Sequence, residues 1–129
     1  MKFRKMMGVT AAFLCAALAL SGCGSTDETA YRIGIVQQDE HSSLDAATQG
    51  FEDKLMEEEN VTFDYQNAQG EQANSTTIAT KFVSDGCDLI LANGTTALQS
   101  AAAATADIPI VGTSVTDYIA AGAVNSNEK

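Results

Sequence analysis

The sequence predicts an α/β fold: a parallel sheet of about four strands with flanking helices, in the flavodoxin-like order 2-1-3-4. Three observations carry this. Strand-like and helix-like segments alternate from Tyr31 to Ser114. The first, third and fourth strand segments are continuous apolar runs, as in strands covered on both faces. A helical segment separates each pair of strands, as right-handed crossovers between parallel strands require.

The elements follow in order. YRIGIVQ (31–37) is an apolar strand. SLDAATQGFEDKLMEEEN (43–60) has helical spacing, with Leu44, Ala47, Phe51 and Leu55 on one face. Ser42 or Ser43 is the expected cap, with Asp45 in the first turn. VTFDYQNA (61–68) alternates more than the other strands, which suits a sheet edge. QANSTTIATKFVSDG (72–86) is a helix with Ile78, Phe82 and Val83 inward and Gly86 at its end. CDLILAN (87–93) is a strand, TTALQSAAAATA (95–106) a slim Ala-rich helix, and IPIVGTS (108–114) the fourth strand. The tail AGAVNSNEK (121–129) is small and polar and reads as an unfinished connection.

The chain start has a different character. Lys2, Arg4 and Lys5 precede the apolar run MMGVTAAFLCAALAL (6–20). A basic head, an apolar stretch and a small-residue exit describe an export signal. The run is shorter than the roughly 20 residues a spanning helix needs. Leu20-Ser21-Gly22-Cys23 then matches a lipobox, so residues 1–22 resemble a bacterial lipoprotein leader. That resemblance implies a lipid on Cys23, a tether over 23–30, and export to the outer face of the cell membrane. An ordinary signal peptide with an incidental cysteine is the simpler alternative.

Removing the leader changes the arithmetic. Of three cysteines, Cys15 is lost and Cys23 acylated, so Cys87 has no disulfide partner. A small buried hydrophobe is the expected role for Cys87. Four bases and seventeen acids follow Cys23, a balance of about −13. Nucleic acid requires a basic surface, so it is excluded as a partner. A polybasic membrane contact is excluded on the same ground.

In sheets of this class, ligands bind beyond the carboxyl ends of the strands, near the switch in strand order. Three segments are expected to meet there: QQDEHSS (37–43), NGTT (93–96) and TSVTD (113–117). Gly94 permits a tight turn, and Thr95 or Thr96 can cap the following helix. The free N–H groups of that helix end favour an anion such as a carboxylate, although capping alone explains the same residues. Hydroxyls at the fourth strand's end can bond a ligand or close a turn.

Catalytic fingerprints are missing. Neither GxxxxGK[ST] nor GxGxxG follows a strand, and GxSxG is absent. One histidine gives no recognisable metal set, and no cofactor is implied. Asp39, Glu40 and His41 adjoin at a strand end, where acid/base work, ligand contact and a plain loop are all open readings.

Together LDAATQGF, VTFDYQNAQG, DLILANGTTA and IPIVGTSVTD, in that order, resemble the substrate-binding lipoproteins of ABC transporters, in the tryptophan/tyrosine-binding-like branch. The resemblance covers residues 31–124. It implies the type I periplasmic-binding fold, two α/β lobes closing over a small molecule, and delivery to permease and ATPase partners without catalysis. The chain supplies the first lobe, with 125–129 as a truncated tail. Carried over by position, Gln38, His41, Ser43 and Leu44, then Asn93, Gly94, Thr95 and Thr96, then Ser114, Val115 and Asp117 form this lobe's half of the cleft. Thr95 and Thr96 are expected to hold a ligand carboxylate, and His41 or Leu44 to border its side chain. The family commonly has a different small-residue loop at Asn93-Gly94. The expected ligand is an amino acid, in that branch an aromatic one. A sensory or surface lipoprotein reusing the lobe, or a non-functional fragment, is the alternative.

Overall fold

A computed structural model describes residues 30–58 and 60–126. The leader, Cys23, most of the tether, Glu59 and residues 127–129 lie outside the described residues. Seven elements follow: β1 (Tyr31–Gln37), α1 (Ser42–Leu55), β2 (Val61–Asn67), α2 (Gln72–Ser84), β3 (Leu89–Asn93), α3 (Thr95–Ala104) and β4 (Ile110–Thr113). The sheet has order β2-β1-β3-β4 with every pair parallel. This is the α/β lobe that the sequence predicts.

Topology decides which helix covers which face. The chain moves one way from β1 to β2, then reverses to reach β3 and β4. Right-handed crossovers therefore put α1 on one face and α2 and α3 on the other. Val36, Phe82, Ile90, Ala92, Ala97, Leu98 and Ala101 form the core on the α2/α3 face. Ile33, Ile35 and Leu91 form a smaller core on the α1 face, with Phe51 and Leu55 packed against it. Small residues allow close approach: a Cβ added to Gly34 would lie 2.6 Å from the Phe82 ring.

Several boundaries differ from the sequence reading. α1 stops at Leu55, short of residue 60, because the chain must reverse into β2. Asn60 takes φ 67 at that reversal, a conformation Asn tolerates better than most side chains. Acids at 57 and 58 also oppose the negative end of the helix dipole. The cap is His41, not Ser42 or Ser43: its side chain accepts from the Ser43 N–H. α2 ends as expected in a Schellman arrangement. Gly86, at φ 68, donates to Val83 O, and Cys87 N donates to Phe82 O, both at 3.1 Å. Cys87 is thereby spent on the turn and β3 begins two residues later than expected. Burial also pushes the Cys87 thiol pKa up.

The fourth strand is not covered on both faces as its apolar run suggested. β4 is a sheet edge and Val111 is 41% exposed. The first part of the tail is not loose. Asp117 Oδ1 accepts from Ile119 N and Ala120 N, forming a turn that buries Ala121 and packs Ala123 on the larger core. The Tyr118 hydroxyl donates to Gly112 O at 2.9 Å and fastens this segment to β4.

Candidate functional site

The strand order switches between β1 and β3, and their last residues pair: Gln37 lies opposite Asn93. Past this pair the chains diverge, β1 toward α1 and β3 toward α3. Gln38 N still donates to Asn93 O at 2.9 Å, and Gly94 N donates to Thr113 O at 2.9 Å. These bonds bring the three predicted segments to one end of the sheet.

The first segment is the loop and first turn 38–44. His41 Nδ1 accepts from Ser43 N at 3.2 Å and meets Ser43 Oγ at 2.8 Å. That leaves the ring proton on Nε2. His41 and Ser43 are exposed, and Leu44 is half-buried. Asp39 Oδ1 accepts from Glu40 N, so the loop also bonds within itself.

The second segment opens α3. Gly94 is the cap residue at φ 118, and no side-chain hydrogen bond of its own serves the helix end. The cap comes from Gln38: its Oε1 accepts from Thr96 N at 3.1 Å. The Gln38 side chain lies directly over Gly94, where an added Cβ would meet its Cβ at 2.5 Å. One of the helix-end donors assigned to a ligand carboxylate is therefore occupied by an amide oxygen in this form.

The third segment is 114–117. Ser114 takes φ 57 and is exposed, while Val115 packs on the larger core. Thr116 N donates to Thr95 Oγ1 at 3.4 Å, tying this loop to the start of α3. Asp117 is exposed, with one carboxylate oxygen engaged by its own turn.

Asn93 behaves differently from its neighbours. Its side chain is fully buried on the α1 side of the sheet. Nδ2 donates to Leu44 O at 2.8 Å and to Thr48 Oγ1 at 2.9 Å. Thr48 in turn donates to Gln37 Oε1 at 2.7 Å. Gln37 Nε2 donates to Asp39 O at 2.8 Å and Asp45 Oδ1 at 2.7 Å. A cavity of about 320 Å³ opens beside this chain, lined by Gln37, Asp45, Thr48, Gln49, Glu52 and Tyr65. The network thus runs from a buried amide to a carboxylate on an exposed residue.

Gln37 and Thr48 were not picked out from the sequence as site residues. A signal existed: Thr48 falls on the same helical stripe as Leu44, Phe51 and Leu55, and Gln37 continues the inward register of Ile33 and Ile35. Polar residues at apolar register positions indicate a buried pair.

Comparison with known proteins gives the same frame. The family model for ABC transporter substrate binding protein matches residues 32–129. A curated tyrosine-binding protein of Clostridioides difficile (strain R20291) is 40% identical over 99% of this chain and 42% of its own length. The ligand-free, open structure of a substrate binding protein with adhesive properties from Clostridium difficile superposes with TM-score 0.73 at 45% identity, covering 77% of this chain and 35% of that one. An ABC domain in complex with L-Trp from Streptococcus pneumonia gives TM-score 0.71 at 34% identity, over 76% of this chain and 35% of that one. The chain spans less than half the length of these relatives. Its sheet order, its three converging loops and a family match running from the second residue of β1 through β4 agree, and the chain belongs to the ABC transporter substrate binding protein family.

Proposed function

We propose that the chain captures an amino acid, an aromatic one, as the solute-binding component of an ABC importer, and that it holds one lobe's half of the cleft. The observation that carries this reading is the convergence of 38–44, 94–96 and 114–117 at the order switch, fixed by Gln38 N to Asn93 O and Gly94 N to Thr113 O. Support for the ligand class comes from the relatives: one is called a tyrosine-binding protein and another holds L-Trp.

The residue roles follow the geometry. Gln38 Oε1 sits on Thr96 N–H, where an oxygen of the ligand carboxylate would sit. Gln38 stands in for that oxygen in the open form and turns aside on binding. Thr95 and Thr96 then receive the carboxylate. His41, Ser43 and Leu44 border the ligand on one side, and Ser114, Val115 and Asp117 on the other. Asn93 and Gly94 serve from beneath, one by anchoring and one by leaving room. Closure by a second lobe supplies the remaining contact area, because buried sites of this kind enclose most of the ligand. The protein acts by binding and release, not by turnover. Cys23 carries the lipid that anchors it outside the cell membrane, where it hands the solute to a permease driven by ATPase subunits.

The test is calorimetric titration with L-tyrosine and L-tryptophan, run on this chain and on the product of its locus sequenced past Lys129. Saturable binding without chemical change of the amino acid supports the reading. No saturation by either product rules it out. One observation favours a second reading, a surface protein that presents the lobe to a partner: the 45% identical relative is described as having adhesive properties. In that case cell-surface attachment persists after Thr95→Ala and Thr96→Ala.

A further inference from the structure

We infer that Asn93, Thr48 and Gln37 form a positioning relay that sets the loop after β1 against the start of α3, and that none of the three touches the ligand. The inference rests on the cleft reading above and names the device that holds its two sides in place.

The hydrogen-bond directions are forced. Leu44 O only accepts, so the Asn93 atom 2.8 Å away must be the donor Nδ2. Its second proton goes to Thr48 Oγ1, which leaves the hydroxyl proton for Gln37 Oε1. Gln37 Nε2 then spends both protons on Asp39 O and the Asp45 carboxylate. Every donor in the chain is used and each amide has one permitted orientation. A relay with only one proton arrangement is stiff, because any rotation leaves a buried donor unpaired.

The relay joins three parts of the chain that the backbone does not connect directly. Asn93 belongs to β3, Gln37 to β1, and Leu44, Asp45 and Thr48 to α1. Asn93 is followed at once by Gly94 and α3, while Leu44 and Asp45 are the first turn after His41. A tilt of α1 would move His41, Ser43 and Leu44 relative to Thr95 and Thr96, and the relay resists that tilt. Apolar packing alone is weak there: Leu44, Ala47, Phe51 and Leu55 are all only half-buried, and Thr48 is the buried residue of α1. Asn93 Oδ1 has no partner and is buried. An unpaired buried acceptor is destabilising, because it loses its hydration without a replacement bond. An apolar residue there would avoid that cost, and what Asn93 supplies in return is its two donors to α1.

The test compares Thr48→Val, which keeps the shape and removes the hydroxyl, with Thr48→Ser, which keeps the hydroxyl. Thr48→Val remains folded, because Asn93 Nδ2 and Gln37 Oε1 already lie 3.4 Å apart and can bond each other. Residual dipolar couplings of backbone amides report the relative orientation of the segments without any ligand. In the native chain and in Thr48→Ser, residues 41–48 and 94–97 fit one alignment frame with the sheet. In Thr48→Val, residues 41–48 leave that frame while α3 and the sheet keep it. Asp45→Ala, at an exposed position, attacks the relay from its other end and is expected to shift the same residues. A single frame retained in both variants overturns the inference, and so does an equal loss of order throughout the lobe. Calorimetry with L-tyrosine on the same samples is separate: absence of binding in the native chain counts against the cleft reading, while the couplings decide the relay.

Discussion

Gln38 Oε1 accepts from the backbone N–H of Thr96 at 3.1 Å, so the cap of α3 comes from a residue 58 positions earlier. The contact exists because Gly94, between β3 and α3, has no side chain and takes φ 118. Gly94→Ala introduces a Cβ 2.5 Å from Gln38 Cβ and requires a left-handed backbone. Strain of that kind costs about 1–3 kcal/mol, and losing the cap adds about 1 kcal/mol. Denaturant titration of Gly94→Ala is expected to show a loss of that size, and amide exchange at Thr96 should quicken more than exchange in the core. A variant as stable as the native chain would show that Gln38 is not held there.

Gly34 and Phe82 make a comparable pair inside the core. A Cβ at 34 would lie 2.6 Å from two ring atoms of a fully buried Phe82. Gly34→Ala therefore overpacks the sheet–α2 interface, at a cost of about 1–3 kcal/mol. Adding Phe82→Leu to Gly34→Ala is expected to cost less than the two single changes summed, since the smaller side chain yields the space. Strict additivity in a double-mutant cycle would count against this packing account.

Acid stability should depend on Asp64 and Lys81. The hydrogen bond from Lys81, and next that from Gln66, holds the Asp64 carboxyl below its ordinary range. A depressed folded pKa gives stability that is full above the unfolded carboxylate range and is lost as pH falls through the folded value. Lys81 is shifted up, chiefly by Asp64, so its share persists until the pH rises through the raised amine value. Lys81→Met is expected to be less stable than the native chain at neutral pH, with the gap closing as the pH drops through the acid range. Denaturation midpoints measured across that range check the sign; a gap that widens on acidification would contradict it.

Cys87 should resist thiol reagents. It is 4% exposed, and burial raises its pKa, so little thiolate is available to react. Peptide-resolved alkylation is expected to modify it only as fast as the lobe opens, and faster in Phe82→Ala, which removes about 3–5 kcal/mol of core packing. Rapid labelling of the folded native chain would place Cys87 at the surface.

The existence, type and order of all seven elements were legible in the sequence. Apolar periodicity and the crossover rule act locally or through chain direction, and both are written in residue order. The sheet order 2-1-3-4 and the convergence of the Gln38, Asn93 and Ser114 segments followed from the same rules. The ends were less legible. α1 runs to Leu55 because a turn competes with helix propensity, and His41 caps it because its ring reaches Ser43 N–H, a choice between three adjacent polar residues that only the folded geometry resolves.

Tertiary structure alone decided how the site residues divide their work. Gln37 and Gln38 are adjacent and chemically identical, yet alternation along an extended chain sends one into the α1 interface and the other onto α3. Asn93 is buried and directed at α1, while Thr95 and Thr96, two and three residues on, start a helix. Sequence order fixes that these groups lie near one end of the sheet. Which of them faces solvent, which caps a helix and which anchors from behind depends on hydrogen bonds between residues 45 to 58 positions apart, and those bonds form only once β1, α1 and β3 have packed.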